Sequence, residues 1–216
     1  MIVTIDGPAG AGKSSAANAL AQRLGFRFLD TGAMYRAVAL AALQRGHDFQ
    51  QPEALADLAR GLRIALEPPQ VFLDGVDVTE AIREVRVTAA THYAADNHGV
   101  RDLMVQRQRA MAQGRNVVTE GRDQGTVVFP RAECKVFLTA TPQERARRRW
   151  AELTERGEQI EFDEVLSQQV ERDRRDETRE CGPLKKAADA IELLTDGLSE
   201  AEVVDRLEQL VRACQP

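Results

Sequence analysis

The chain has 216 residues, of which 43% are hydrophobic and 5% aromatic, and its formal net charge at pH 7 is −5. This length suits one α/β domain with enough apolar residues for a core. The negative charge argues against a nucleic-acid polymer as partner, because a phosphate backbone is bound by a basic surface. No apolar run approaches the roughly 20 residues of a membrane span. A glycine-rich segment that begins at residue 7 leaves no room for a secretory signal.

Cysteine usage points to a reducing compartment. Cys134, Cys181 and Cys214 are odd in number and lack C-x-x-C spacing. We therefore expect reduced thiols in a cytoplasmic protein. The three histidines do not join them at metal-ligand spacing, so no zinc site is predicted.

The first motif along the chain is Gly7–Ser14, which has the spacing G-x-x-x-x-G-K-[ST]. An apolar strand at 2–5 is predicted before it and a helix at 15–24 after it. Glycines let backbone N–H groups face a phosphate, Lys13 can reach the β- and γ-phosphates, and the Ser14 hydroxyl can ligate Mg²⁺. This context favours a nucleoside triphosphate site over a glycine-rich turn with an incidental lysine. The residues predicted to bind ATP are Gly7, Pro8, Ala9, Gly10, Ala11, Gly12, Lys13, Ser14 and Ser15.

Strands and helices alternate along most of the remaining chain. Short strands with tight turns interrupt this alternation at 62–78, which predicts a small antiparallel meander inserted at the edge of the main sheet. Ser199 and Glu202 form a capping box before the last helix. The predicted fold is a doubly wound, five-stranded parallel sheet with helices on both faces. The further strands are predicted at 26–29, 116–119, 135–138 and 190–194, and further helices at 35–45, 52–60 and 100–113.

Two polar motifs follow predicted strands. Asp30–Arg36 comes after the second strand, and Glu120–Thr126 comes directly after the strand that ends at Thr119. In open α/β sheets, the loops at the carboxyl ends of the strands form the ligand crevice. Arg122 and Asp123 can therefore present a cation and an anion to one small ligand. The structural alternative is a tight turn with a local ion pair.

The segment 145–179 contains nine arginines and no lysine. Acidic residues nearly balance them, which is also typical of solvated helix faces. Arg172, Asp176 and Arg179 differ, because at i, i+4 and i+7 they are predicted to share one helical face. An aspartate between two arginines can hold their guanidinium groups ready for a phosphate or a sugar hydroxyl. A helix break at 181–183 then predicts a mobile lid over the transferring phosphates.

Together these motifs resemble one known family. The phosphate loop, D-[ST]-G-x-x-Y-R at Asp30–Arg36, G-R-D-x-G-T-V-V-F-P at Gly121–Pro130 and E-R-D-x-R-D-x-x-R at Glu171–Arg179 are similar to those of bacterial cytidylate kinases. The resemblance runs from Ile2 to about Arg212. The combination is far more specific than any single motif.

The resemblance implies transfer of the γ-phosphoryl group of ATP to CMP or dCMP, with Mg²⁺ accompanying ATP. It assigns Arg36, Arg122 and Arg179 to the phosphate of the acceptor. It assigns Arg172 and Asp176 to the sugar, and Arg101 and Asp123 to the base. Cytosine suits such an Asp–Arg pair, because its N4 amino group donates to a carboxylate and its N3 and O2 accept from an arginine. The implied acceptor site comprises Thr31, Arg36, Arg101, Arg122, Asp123, Arg172, Asp176 and Arg179. The implied catalytic residues are Lys13, Arg122 and Arg179.

The resemblance also implies a division of the single domain 1–216. A core at about 1–35, 79–143 and 184–216 is expected to carry a monophosphate-binding insertion at about 36–78 and a lid at about 144–183. Three lid arginines are expected near the ATP phosphates, without a choice between them. They are Arg145, Arg148 and Arg149.

The chain departs from many relatives at a few positions. Glu120 stands where many have Asp, and Thr31 where many have Ser, and both changes keep the functional group. The position expected to supply a serine hydroxyl to the base falls on His92, or on Thr91 if the alignment shifts by one. Three carboxylates remain candidates to orient the metal's waters. They are Asp6, Asp30 and Glu120.

Two other functions compete with this one. A P-loop kinase for another small acceptor, such as UMP or a non-nucleotide metabolite, differs at the Asp123 and Arg101 pair. A GTPase-type switch is disfavoured, because the sequence contains no N-K-x-D segment for guanine. The expected partners are ATP, CMP and dCMP, with no nucleic-acid polymer and no membrane, and the protein is expected to be a monomer.

Overall fold

The computed structural model describes residues 1–214. They form two compact units. Unit 1 comprises residues 1–28 and 115–214, and unit 2 comprises Leu29–Gly114. The expected division into core, insertion and lid has other bounds and stays a prediction.

Eight strands and eight α-helices occur in the described chain. The strands are β1 (Ile2–Asp6), β2 (Arg27–Asp30), β3 (Ile64–Glu67), β4 (Gln70–Leu73), β5 (Val76–Asp77), β6 (Val117–Gly121), β7 (Cys134–Thr139) and β8 (Ile191–Leu194). The helices are α1 (Lys13–Leu24), α2 (Thr31–Gln44), α3 (Pro52–Gly61), α4 (Val85–Ala95), α5 (His98–Ala112), α6 (Pro142–Glu155), α7 (Phe162–Thr178) and α8 (Glu200–Ala213). Within residues 1–214, none of these helices has the length and apolar character needed to cross a membrane.

The main sheet has five strands in the order β2-β6-β1-β7-β8. β1 lies at its centre and pairs in parallel with β6 and β7, and β7 pairs in parallel with β8. Val3 and Ile5 on β1 are fully buried and pack with α1 and α8 side chains such as Leu20 and Leu207. Burial of each large apolar side chain contributes about 1.5–3 kcal/mol, so this cluster stabilises the sheet that carries the loops. The predicted parallel α/β fold is confirmed.

Unit 2 is built from helix pairs and a separate small sheet. α2 packs on α4, and α3 packs on α5. β3, β4 and β5 form an antiparallel sheet in which Ile64 pairs with Leu73 and Leu73 pairs with Val76. The predicted meander is therefore confirmed as an antiparallel sheet of its own.

Helix starts depend on side-chain caps. α2 begins at Thr31, not at Tyr35 as predicted, because the Asp30 carboxylate accepts a hydrogen bond from Ala33 N at 2.9 Å. The cap satisfies one of the free N–H groups at the helix start, so the turn that contains Gly32 becomes helical. At α8 the predicted capping box of Ser199 and Glu202 is confirmed.

Candidate active site

The phosphate loop joins β1 to α1 at the carboxyl end of β1. Three of its glycines have positive φ: Gly7 at 153°, Gly10 at 76° and Gly12 at 87°. A Cβ on Gly7 would lie 1.9 Å from the Leu138 carbonyl oxygen, which no side chain tolerates. The loop therefore needs glycine here for space as well as for conformation. It ends at the N-terminus of α1, where free N–H groups favour an anion.

Lys13 is the first residue of α1 and is buried. Its Nζ donates a hydrogen bond to the Pro8 carbonyl oxygen at 2.7 Å. Burial, and next the positive charge of Arg122, lower the pKa of Lys13 from 10.5 to about 7. A phosphate in the loop would favour the charged form of Lys13, because an opposite charge at short range offsets desolvation.

Ser14 and Glu120 form the second polar contact of the loop. Ser14 Oγ donates to Glu120 Oε1 at 3.2 Å. The two other candidate carboxylates are engaged elsewhere, since Asp6 accepts from two backbone N–H groups and Asp30 caps α2. A hydroxyl and a carboxylate are both oxygen donors of the kind that Mg²⁺ prefers, so Ser14 and Glu120 fit that ion.

Arg122 forms an ion pair with Asp176 of α7, with 2.7 Å between Nε and Oδ2. The two side chains are only 17% and 18% exposed. Burial raises the pKa of Asp176, but Arg122, with Arg172 and Arg179, outweighs this effect and brings it below its ordinary value. The expectation of an aspartate among arginines thus holds, but the bonded arginine is Arg122, which is distant in sequence.

Arg179 is the C-cap residue at which α7 ends, and its N–H still bonds the Arg175 carbonyl oxygen at 3.0 Å. Its φ of −61° is helical, whereas its ψ of 144° turns the following residues out of the helix, so the predicted placement near Arg172 and Asp176 fits the structure. Its Nε donates to the Gly182 carbonyl oxygen at 2.7 Å. Gly182 has a φ of 55°, so the chain turns there and brings this carbonyl back to the guanidinium group. Arg179 still acts on the charge of Asp176, as described above.

Asp123 lies just after β6 and is buried, with 4% of its surface exposed. A π-helical turn, Gln124–Val128, follows it. The Asp123 carbonyl oxygen accepts hydrogen bonds from Val127 N at 2.9 Å and Val128 N at 3.1 Å. This turn could not be predicted from the sequence, because a single π-helical turn leaves no periodic pattern.

Asp6 is the buried carboxylate beneath this turn. Its Oδ1 accepts from Gln124 N at 2.8 Å and its Oδ2 from Gly125 N at 2.7 Å. Burial raises the pKa of Asp6 from 3.8 to about 6, although both N–H bonds lower it. The negative charge of Asp123 also raises it, and Lys13 lowers it.

Two of the three lid arginines contact the phosphate loop. Arg145 Nη1 donates to the Ala9 carbonyl oxygen at 3.1 Å, and Arg148 Nη1 lies 3.5 Å from the Ala11 carbonyl oxygen. Arg149 instead forms an ion pair at the surface with Glu152, at 3.0 Å. Arg145 and Arg148 are therefore neighbours of the loop, whereas Arg149 lies at the surface, and the approach of these arginines to the ATP phosphates stays a prediction.

Sequence reasoning missed two residues of this contact. Gln169 Nε2 also donates to the Ala9 carbonyl oxygen, and Asp173 Oδ2 forms an ion pair with Arg145 Nη1 at 2.6 Å. Both lie on α7, four residues apart and hence on one face. This spacing was the only available signal, and many residues of an acidic helix share it.

Three predicted acceptor residues lie in unit 2. Thr31 is the buried first residue of α2, and Arg36 follows on the same helix. Arg101 lies on α5, buried to 5% exposure, and its guanidinium carbon is 5.8 Å from the centre of the Tyr35 ring. Its Nη1 donates to the Ala95 carbonyl oxygen at 3.4 Å.

The two candidates for the base-reading hydroxyl lie on α4. Thr91 Oγ1 donates to the Val87 carbonyl oxygen of its own helix at 2.7 Å. His92 Nδ1 is 2.7 Å from the Ala89 carbonyl oxygen, and its ring centre is 4.0 Å from that of Tyr93. The second ring nitrogen of His92 is the more available group for a ligand, because the Thr91 hydroxyl is bonded within the helix.

Comparison with known proteins shows the family of the chain. A family model described as cytidylate kinase matches residues 3–213. The chain is 49% identical over 214 residues to a cytidylate kinase of Rhodopirellula baltica, which covers 99% of this chain and 93% of that protein. It is 44% identical over 210 residues to a cytidylate kinase of Caldanaerobacter subterraneus, with coverage of 97% and 94%.

Another similar protein is a bifunctional pantoate ligase/cytidylate kinase of Synechococcus sp., 51% identical over 217 residues. The match covers 98% of this chain but only 44% of that longer protein. Among solved structures, a shikimate kinase from Bacteroides thetaiotaomicron has a TM-score of 0.53 at 18% identity, with 98% of each chain covered. A Thermus thermophilus protein, TT1252, has a TM-score of 0.51 at 20% identity, with coverage of 99% and 96%. These two likenesses concern the fold alone.

Proposed function

Because the chain belongs to the cytidylate kinase family, we propose that it transfers the γ-phosphoryl group of ATP to CMP and dCMP. The products are CDP and dCDP. The observation that supports this most directly is the 2.7 Å Arg122–Asp176 ion pair, whose charges also act on Lys13 of the phosphate loop. Cations and a phosphate-binding loop in one unit are what a phosphoryl transfer requires.

Positioning and charge stabilisation account for the catalysis. Gly7–Ser15 binds the triphosphate of ATP, and Lys13 neutralises its β- and γ-phosphates. Arg122 and Arg179 stabilise the charge that spreads over the transferred group. No general base is needed, since the attacking phosphate of CMP is already an anion. Lys13, Arg122 and Arg179 are therefore the proposed catalytic residues.

Ser14 and Glu120 would hold Mg²⁺ when ATP is bound. The ion would supply charge neutralisation on the phosphate oxygens. The 3.2 Å contact between Ser14 Oγ and Glu120 Oε1 supports Glu120 over Asp6 and Asp30 as the orienting carboxylate. Asp6 and Asp30 are engaged by backbone N–H groups.

The acceptor is bound by a set of polar side chains with separate roles. Arg36, with Arg122 and Arg179, binds the phosphate of CMP, and Arg172 with Asp176 binds the sugar. Arg101 donates to cytosine acceptors, and Asp123 accepts from the N4 amino group. Uracil would present its O4 to Asp123 and leave the carboxylate unpaired, which costs roughly 1–3 kcal/mol or more. The buried state of Asp123 supports this selectivity. Thr31 completes the proposed acceptor set.

An acceptor screen tests the proposal. The purified protein is supplied with ATP and Mg²⁺, and ATP consumption is measured with CMP, dCMP, UMP, AMP or GMP in turn. We expect CMP and dCMP to be consumed far faster than the other three. Equal rates with UMP, or steady ATP hydrolysis that needs no acceptor, would contradict the proposal.

The assembly state and the location stay predictions. We propose a monomer in the cytoplasm that binds only small nucleotides, with no nucleic-acid polymer or membrane as partner. The net charge of −5 supports the exclusion of nucleic acid. Light scattering of the purified protein measures the assembly state directly.

A further inference from the structure

The carboxylate of Asp6 is bonded to the turn that follows Asp123. Asp6 is the last residue of the central strand β1 and is 5% exposed. Its two oxygens accept hydrogen bonds from Gln124 N at 2.8 Å and from Gly125 N at 2.7 Å. These are the first two residues of the π-helical turn. One side chain of the sheet centre therefore holds the start of the turn at two consecutive N–H groups.

This contact fixes the peptide group between Asp123 and Gln124. At one end of that group, the Asp123 carbonyl oxygen accepts from Val127 N and Val128 N, at 2.9 and 3.1 Å. At the other end, Gln124 N donates to Asp6. A peptide group is planar, so holding both ends restricts the backbone torsions on either side. Those torsions set the direction in which the Asp123 side chain leaves the backbone.

Close packing beneath the turn supports the same conclusion. A Cβ added to Gly125 would lie 3.0 Å from Thr4 Oγ1, 3.2 Å from Lys135 Cδ and 3.3 Å from Asp6 Oδ2. The turn thus packs directly on β1 and β7, and a larger residue would require these neighbours to shift by a few tenths of an ångström. The Thr119 hydroxyl adds a further bond, to Gln124 Oε1 at 2.9 Å.

We propose that Asp6 is a positioning residue for the acceptor base: it holds the turn so that Asp123 is aimed at cytosine. The inference rests on the proposed role of Asp123 in base reading. Asp6 touches neither nucleotide in this proposal and acts only through the turn. A carboxylate suits this task, because it offers one acceptor oxygen to each of two neighbouring N–H groups.

The variant Asp6→Asn tests the proposal with almost no change of shape. The amide keeps one acceptor but turns a donor toward the second N–H, so one hydrogen bond is lost and two donors face each other. We expect the KM for CMP to rise about tenfold and the CMP-over-UMP ratio of kcat/KM to narrow. The KM for ATP should change less than twofold. Hydrogen exchange of the Gln124 and Gly125 amides, followed by NMR, should accelerate.

Thr4→Val provides the matched control. Thr4 lies two residues before Asp6 on β1, is fully buried, and its hydroxyl has no hydrogen-bond partner in the described part of the chain. Valine keeps its shape and leaves the Asp6 bonds in place, so the KM for CMP and the amide exchange should change much less than in Asp6→Asn. Gly125→Ala is a second variant, which displaces the turn while the carboxylate stays. It should also raise the KM for CMP and narrow the CMP-over-UMP ratio.

A double-mutant cycle separates positioning from general stability. In the Asp123→Asn background, Asp6→Asn should have no further effect on the CMP-over-UMP ratio, because the group it aims is already changed. A lower melting temperature with unchanged CMP kinetics in the folded Asp6→Asn protein would overturn the proposal. So would equal losses for CMP and ATP. If the wild type itself showed no preference for CMP, the proposed function would fail first, and this result is separate from the outcomes above.

Discussion

The charged form of Lys13 is disfavoured in the folded protein, and the proposed function explains why. Burial and the charge of Arg122 lower its pKa to about 7, from an ordinary value of 10.5. An anion offsets this effect, because the phosphates of ATP favour the charged form. A side chain with a strongly shifted pKa in a phosphate-binding loop is typical of a functional site, where a group lowers the stability of the fold but serves the reaction.

The lowered pKa of Lys13 predicts how the free energy of unfolding depends on pH. Between pH 7 and 10.5, the unfolded chain binds a proton at Lys13 that the folded protein does not, so Lys13 makes the free energy of unfolding rise with pH. Lys13→Met lacks this rise. The free energy of unfolding of the wild type minus that of Lys13→Met should therefore rise by about 1 kcal/mol per pH unit from pH 7 to 9. Urea unfolding at pH 7, 8 and 9 measures it, and a constant difference would contradict the lowered pKa.

Asp123 determines base selectivity in the proposed function. Asp123→Asn keeps the shape, but its amide can present an N–H group to the O4 of uracil, while cytosine loses a charge-assisted hydrogen bond. Such a bond contributes about 1.5–3 kcal/mol, so kcat/KM for CMP should fall by roughly one to two decades. The KM for ATP should stay near the wild-type value. Equal proportional losses for CMP and UMP would mean that Asp123 does not read the base.

At the scale of elements, a buried ion pair joins α6 to α7, and hydrogen bonds from both helices to the Ala9 carbonyl oxygen attach them to the phosphate loop. Arg145 bonds Ala9 and Asp173 while its side chain is only 5% exposed. Side chains of both helices thus donate hydrogen bonds to a backbone carbonyl oxygen of the loop. The packing of Ala146, Leu153 and Val165 joins the two helices to each other.

Removal of one partner of this buried pair should be costly. We expect Asp173→Ala to lower the free energy of unfolding by about 3 kcal/mol, because Arg145 then keeps a buried charge without its counterion. The matched control is Glu152→Ala, which removes the partner of Arg149 on the surface of α6, where the side chains are 38% and 57% exposed. That change should cost less than about 1 kcal/mol. Chemical denaturation of both variants checks the pair, and similar costs would contradict the importance of burial.

At the scale of the whole molecule, nucleotide binding should appear as stability. A ligand that binds only the folded protein raises the free energy of unfolding by about 2.7 kcal/mol at a free concentration of 100 times its Kd. ATP with Mg²⁺ should therefore raise the melting temperature of the wild type. Lys13→Ala should abolish both phosphoryl transfer and most of this rise, while its fold stays intact. Near-normal turnover by a folded Lys13→Ala protein would contradict the assignment of the phosphate loop.

The sequence by itself determined the features that depend on local patterns. The phosphate loop, the parallel α/β fold, the antiparallel meander and the Ser199 capping box each have a spacing or period that neighbouring residues alone impose. Family membership followed in the same way, because four motifs occurred in one order along the chain.

Only the tertiary structure decided which distant side chains meet. The bond of Arg122 with Asp176 joins residues 54 positions apart, and that of Asp6 with Gly125 joins residues 119 apart. No local pattern specifies such a pair, because its geometry depends on how β1, β6 and α7 pack. The bond of Arg179 with the Gly182 carbonyl oxygen likewise depends on a turn that comes later in the chain. Motifs are specified by the order of neighbouring residues, whereas the pairing of buried charges depends on how the core packs.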